Sequence, residues 1–266
     1  MRTEPFITVV MPCYNGDKYL EKVLEAFFSQ DYPNKQLVII DGKSTDRSHG
    51  IIADFISRGY PLVWDKTPDA GISNAINIGL NYLSESHIFG YLGSDDVLLP
   101  NTLNEVAYMF RMAPKLDGVY FDSYSYLCES NVMSYRKCPT SEFSLKNLVE
   151  IGTIVGLQNI YIQGSHVLAH RFSEKNKYSM DYDLYVRLAT KGLSKFTYIP
   201  RASTINFMDG NVSSEYAIEG ALEAIRVAVA HVGYIPALLP KIYRLNRAKI
   251  KLWIIAGLRN LLRLKR

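Results

Sequence analysis

The chain has 266 residues, 48% of them hydrophobic and 21% charged, with a net charge of +4 and three cysteines. That composition belongs to a globular protein with one sizeable core and excludes low-complexity and fibrous classes. Cys13, Cys128 and Cys138 lack metal-ligand spacing, and their odd number argues against a disulfide framework and for a reducing compartment. The charge is uneven: residues 241–266 hold nine Lys or Arg and no acid, which leaves the first 240 residues with a balance of −5. No run approaches the ~18 apolar residues of a spanning helix, and Met1-Arg2-Thr3-Glu4-Pro5 ahead of an immediate strand predicts no secretory leader.

Taken in chain order, Phe6 to Pro12 reads as a buried strand stopped by proline, and Asn15-Gly16-Asp17 as a turn with Asp17 capping a helix through Ser29. Gln36 to Asp41 is a second strand, ending in a carboxylate. Asp46 caps a helix over 47–57, and Pro61 to Trp64 is a short third strand. Asp69-Ala70-Gly71 turns into a helix with Ile72, Ile76, Leu80 and Leu83 inward. His87 to Leu92 is a buried strand that Gly93-Ser94 ends in two adjacent acids, Asp95 and Asp96. A helix over 100–113 follows, then a strand over 118–122 and an antiparallel pair over 124–128 and 132–137. Ile160 to Leu168 reads as irregular and partly extended. Met180 opens a helix with acids in its first turn, where the dipole favours them. Short strands over 196–199 and 204–207 and a helix over 216–231 lead to the basic tail.

Alternating strands and helices with short links predict an α/β fold, a mostly parallel sheet with helices on both faces. Three strands then finish in polar residues at one edge: Pro12 to Asn15, Asp41, and Asp95 with Asp96. Ligands bind at the carboxyl edge of such sheets. Hard carboxylate oxygens there suit Mn²⁺ or Mg²⁺ carrying a phosphate. On extended backbone the two acids point to opposite sides and divide the work. The five histidines lack metal-ligand spacing, and the i, i+4 pair His166 and His170 reads as surface or core.

Several segments, in this order, resemble an inverting family-2 glycosyltransferase of the GT-A fold. They are Val9-Val10-Met11-Pro12-Cys13-Tyr14-Asn15-Gly16, Ser29-Gln30-Asp31-Tyr32-Pro33, Val38-Ile39-Ile40-Asp41-Gly42-Lys43-Ser44-Thr45-Asp46, Pro68-Asp69-Ala70-Gly71-Ile72-Ser73-Asn74-Ala75-Ile76-Asn77, Gly93-Ser94-Asp95-Asp96, and Asp181-Tyr182-Asp183-Leu184 with Arg187. The resemblance covers roughly residues 5–215 and is nearest to bacterial enzymes that build polysaccharide and O-antigen repeat units. It implies a nucleotide-sugar donor, a divalent metal, and transfer to an acceptor hydroxyl with inversion. The implied donor site comprises Pro12, Tyr14, Asn15, Asp41, Lys43, Ser44, Asp69, Gly71 and Asp95. Tyr14 can cover a base, Asp41 can accept the imide N–H of uracil, and Gly71 lets the chain approach a diphosphate-sugar. Asp96, with Asp95 beside it, is the implied metal ligand, and Asp181 the implied base. Asp183 is expected to turn away from Asp181 and pair with Arg187. Many relatives carry Glu where this chain has Met180, and repeat-unit relatives often show His-Gln where it has Gln163-Gly164-Ser165-His166; both departures lie on the acceptor side.

The implied partners are a UDP-sugar and a glycan or polyprenyl-diphosphate-linked acceptor. A nucleotidyltransferase is the alternative enzyme and a non-catalytic carbohydrate-binding relative the alternative outside catalysis. Nucleic acid is not expected, because the body is acidic and the tail carries no reading module. The expected organisation is a catalytic domain over 1–215, with a nucleotide-sugar half to about 115 and an acceptor half from 116, then a helical extension over 216–266. In the tail, basic and apolar arcs exchange sides past Gly257, which predicts a bend there and two short amphipathic segments seated on an anionic membrane surface. The expected location is therefore cytoplasmic, peripheral on the inner face of the plasma membrane. The competing arrangement packs the tail on the catalytic domain or on a second subunit, a homodimer.

Overall fold

The computed structural model describes residues 4–208 and 216–233. One mixed sheet organises them. Its first half is parallel: β3 (Leu62–Asp65), β2 (Lys35–Ile40), β1 (Ile7–Pro12) and β4 (Ile88–Tyr91) lie side by side in that order. The second half mixes directions. β8 (Ile160–Gln163) runs antiparallel between β4 and β6 (Gly118–Leu127), β9 (Phe196–Phe207) runs parallel to β6, and β5 (Asp96–Leu98) closes the edge antiparallel to β9. β7 (Val132–Arg136) pairs β6 off this path.

Period-two alternation assigns each strand residue to a layer. Val9, Met11, Leu37 and Ile39 face α1 (Leu20–Phe28), α2 (Ser48–Ser57) and α4 (Thr102–Met112), and the core there includes Leu24, Phe55 and Val106. Val10, Val38, Ile40 and Phe89 face the other layer. There α3 (Ile72–Gly79), α5 (Leu145–Ile151), α6 (Gly164–His170), α7 (Met180–Thr190) and α8 (Ala217–Val232) contribute Ile76, Leu148, Val167, Tyr182 and Val227. Residues with helical spacing read from the sequence are buried, Leu20, Val23, Leu24 and Phe27 on α1 and Ile76, Leu80 and Leu83 around α3, while Ile72 is half-buried against the same core. No helix among the described residues is long and apolar enough to cross a membrane. The predicted bend near Gly257 and the tail over 241–266 lie outside the described residues.

Several elements differ from expectation for local reasons. Asp17 does not cap α1, which starts at Leu20; its carboxylate takes Arg47 instead, and its N–H donates to Asp46. The segment 118–127 is one strand, β6, because β9 pairs along it and absorbs the irregularity as a register shift at Asp122. The two strands expected over 196–199 and 204–207 are likewise continuous. Ile160 to Leu168 is a four-residue strand running into a helix, each too short to display a period.

α3 packs hard on β1. A Cβ built on Gly79 falls 2.3 Å from Val10 Cγ1, a branched side chain buried in the sheet. Gly79→Ala is therefore expected to push α3 off β1 and cost about 1–3 kcal/mol, read as a lower urea midpoint with unchanged m-value.

Candidate active site

β1, β2 and β4 are parallel neighbours, so their carboxyl ends meet at one edge, as expected from their polar termini. Side chains from each loop lock the next one there. Asn15 N–H donates to Ser44 Oγ (2.8 Å), Thr45 N–H to Asn15 Oδ1 (2.9 Å) and Gly16 N–H to Ser48 Oγ (3.0 Å). Lys43 Nζ reaches the Asp69 carbonyl and ties the β2 loop to the β3 loop. Asp69 Oδ1 accepts Gly71 N–H (2.8 Å), and Gly71 enters α3 at φ 123°, which a side chain would strain. Asn15, Lys43, Ser44 and Asp69 thus shape the rim of the cleft through their own hydrogen bonds. Pro12 ends β1, and the Tyr14 ring beyond it is 67% exposed.

At the floor of the β2 loop Asp41 is fully buried. Its Oδ1 accepts Ser44 N–H (2.9 Å) and lies 3.1 Å from His49 Nε2. Its Oδ2 has no hydrogen-bond partner among the described residues. Such an atom is costly to bury and calls for a donor from a ligand. Trp64 packs edge-on against His49, with ring centroids 5.1 Å apart, and donates its indole N–H to the Asp41 carbonyl. The Cys13 thiol is pushed up to about 12 by burial and by the nearby Asp41 charge, so it is an inert thiol. His49 and Trp64 have no motif to announce them; they reach Asp41 through the α2 helix and the parallel pairing of β3.

The two acids after β4 do not point apart. Asp96 opens β5, the backbone turns between them, and both carboxylates reach back over Gly93. A Cβ there would lie 2.7 Å from Asp96 Oδ2 and 2.8 Å from Asp95 Oδ1. The alternation expected of extended backbone fails because Asp96 N–H closes a turn onto the Gly93 carbonyl. Burial raises both carboxyl groups, and the Asp95 charge raises Asp96 further. Asn206, opposite Asp96 on β9, donates to Asp96 Oδ1 at 2.5 Å, and Gly93 N–H donates to Oδ2 at 3.2 Å. Nothing near Asn206 in sequence marks it, because cross-strand pairing over 110 residues brings it here. Two close carboxylates with too little compensating positive charge fit a divalent cation. Among the described residues no group of three or more His, Cys, Asp and Glu forms a cage.

Asp181 sits in the first turn of α7, where its Oδ1 accepts Tyr182 N–H at 2.7 Å. Burial outweighs that bond and pushes the carboxyl up to about 6. Tyr91, at the end of β4, feels the charges of Asp96, Asp95 and Asp181 together, and with its burial they raise its hydroxyl. The charges of the strand-end pair and of the α7 acid thus all reach the Tyr91 hydroxyl. Asp183 turns away, as expected, and pairs with Arg187 at 2.7 Å. His166 is half-buried with Nε2 2.9 Å from Asp117, so the pair with His170 is structural.

The sequence model of the family described as Glycosyl transferase family 2 matches residues 8–173, well over half of the chain. The chain belongs to glycosyl transferase family 2. An uncharacterised glycosyltransferase of Rickettsia typhi is 22% identical over 191 residues, 69% of this chain and 58% of the relative. The family-2 chain thus spans little more than half the length of that relative. Among solved structures, Staphylococcus aureus TarS 1-349 in complex with UDP matches 85% of this chain and 66% of its own, with a TM-score of 0.63 at 18% identity. The mannosyltransferase PcManGT from Pyrobaculum calidifontis, in complex with GDP-Man and Mn²⁺, matches 91% and 69% with a TM-score of 0.66 at 16% identity. The fold is the α/β, Rossmann-like GT-A sheet.

The raised Asp181 carboxyl carries a stability consequence. The folded chain holds a proton that the unfolded chain releases above about pH 4, so this group's contribution is full below that pH and lost as pH rises through about 6. Asp181→Asn removes the buried charge. It is expected to be more stable than the wild type by about 1–3 kcal/mol at pH 8 and equal to it near pH 4, measured by urea unfolding at the two pH values.

Proposed function

We propose that this family-2 chain transfers a sugar, with inversion, from a UDP-sugar to a hydroxyl of a glycan or polyprenyl-diphosphate-linked acceptor in the assembly of a bacterial surface polysaccharide. The observation that carries the reading is the buried, unpartnered Oδ2 of Asp41 at the same sheet edge as the Asp95–Asp96 pair. A uracil offers its imide N–H to that oxygen, whereas cytosine presents a bare ring nitrogen and would leave Asp41 unpaired. Tyr14 covers the base, and the β1, β2 and β3 loops, clasped by Asn15, Ser44 and Lys43, cradle the ribose and diphosphate. Gly71, without a side chain at the start of α3, lets the donor approach the backbone.

Asp95 and Asp96 would hold Mn²⁺ or Mg²⁺, with Asn206 and Gly93 N–H fixing Asp96. A bound cation would screen the diphosphate and stabilise the leaving nucleotide. Asp181 takes the proton of the acceptor hydroxyl as that oxygen attacks the anomeric carbon from the side opposite the diphosphate. A carboxyl near 6 is ionised at neutral pH and is a stronger base than an ordinary aspartate. The basic tail would seat the protein on the anionic inner face of the plasma membrane beside a lipid-linked acceptor, each Lys or Arg adding about 1 kcal/mol near the surface.

Three measurements check this reading. In calorimetry with Mn²⁺, UDP is expected to bind, CDP to bind at least tenfold more weakly, and Asp41→Ala to lose at least tenfold for UDP, about 1.4 kcal/mol; failure of any nucleoside diphosphate to bind would refute it. Nucleotide released from a panel of nucleotide sugars is expected to require Mn²⁺ or Mg²⁺ and to fall at least 100-fold in Asp96→Ala. In co-sedimentation with vesicles containing anionic lipid, the full chain is expected to pellet and a 1–240 truncation to stay in solution; equal partitioning would place the tail on protein instead.

A further inference from the structure

α7, which carries Asp181, does not fix its own start. Ser179 occupies its N-cap, yet the Ser179 side chain accepts no backbone N–H and donates to the Gly220 carbonyl at 2.7 Å. The turn is held from α8 instead. The Glu223 carboxylate, buried at 9% exposure, accepts three consecutive backbone N–H groups: Lys177 on Oε1 (2.9 Å), and Tyr178 and Ser179 on Oε2 (2.8 and 3.0 Å). The Tyr178 and Tyr216 rings stack at 4.9 Å over the same junction, and His231 of α8 lies 3.5 Å from buried Asp183. A carboxylate accepting three amides is bound by charge-assisted hydrogen bonds, each roughly twice as strong as a neutral one. It also supplies the negative charge that a helix start favours. One residue, Met180, separates the last of these amides from Asp181.

We infer that Glu223 is a positioning residue for the base: by gathering the amides of residues 177–179 it sets the start of α7 and thereby the direction of the Asp181 carboxylate. α8, which lies outside the family-matched segment 8–173, is then part of the active site. The inference rests on Asp181 being the base. Glu223→Gln keeps the shape but removes the charge and sets an N–H₂ against at least one of the three backbone donors, so the clasp is weakened while the donor pocket, built from β1 to β4, is untouched.

The test uses the full chain, Mn²⁺ and the UDP-sugar that the wild type hydrolyses fastest. Glu223→Gln is expected to lower kcat for hydrolysis at least tenfold, with KM for the donor and Kd for UDP within twofold of wild type. On an Asp181→Asn background the same change is expected to lower the residual rate by less than twofold, because the two residues act as one unit. Hydrogen exchange at the amides of 177–179 is expected to quicken at least tenfold in Glu223→Gln and to stay unchanged around Asp41. A Glu223→Gln enzyme with wild-type kcat, a multiplicative loss in the double variant, or unaltered exchange at 177–179 overturns this inference alone. A wild type that binds no UDP overturns the donor reading and the base assignment with it.

Discussion

Buried negative charge at one sheet edge is the constraint around which this molecule is built. Asp41, Asp95, Asp96 and Asp181 are drawn from a β2 loop, a β4 loop and a helix start; Asp41 and Asp96 are buried, Asp95 and Asp181 are half-buried, and His49 lies against Asp41. Burying carboxylates in this way costs stability unless a ligand completes them. In the proposed function the missing partners are substrate groups: an imide N–H for Asp41, a cation with its phosphates for Asp95 and Asp96, and a hydroxyl proton for Asp181.

The scaffold makes the edge rigid by borrowing from distant segments. Hydrogen bonds from Asn15, Ser44, Ser48 and Lys43 join the first three strand-end loops into one rim. β9 brings Asn206 opposite Asp96, and its Phe207 N–H reaches the Asp95 carbonyl. α8 brings Glu223 to the start of α7. The parallel half of the sheet thus creates the site, and the mixed half and the last helix hold its carboxylates in place. A site that must act within about 0.5 Å of its productive geometry needs such support.

The sequence made the parallel half legible because its signals are local. Apolar runs ending in Pro12, Asp41 and Asp95 gave the strands, their direction and the shared edge, and helical spacing gave the buried faces of α1 and α3. The motifs pointed to the strand-end acids and Asp181. Illegible were features that depend on pairing at long range: the antiparallel insertion of β8, the unbroken run of β6 against β9, the arrival of Asn206 and His49 at acids they do not adjoin, and that of Glu223 at the amides before α7. The rule that neighbouring side chains alternate misread Asp95 and Asp96, since a turn at Gly93 intervenes where an extended strand was assumed. Asp17 misled for a related reason, because Arg47 and Asp46 compete for it more strongly than the helix it precedes.

The most direct test of the central claim is anomalous scattering at the manganese edge from crystals grown with UDP and Mn²⁺. One strong peak is expected about 2.0–2.3 Å from a carboxylate oxygen of Asp96 or Asp95 and from the diphosphate, with the uracil N–H on Asp41 Oδ2. UDP bound with no manganese peak at this pair, or with its uracil away from Asp41, would contradict it.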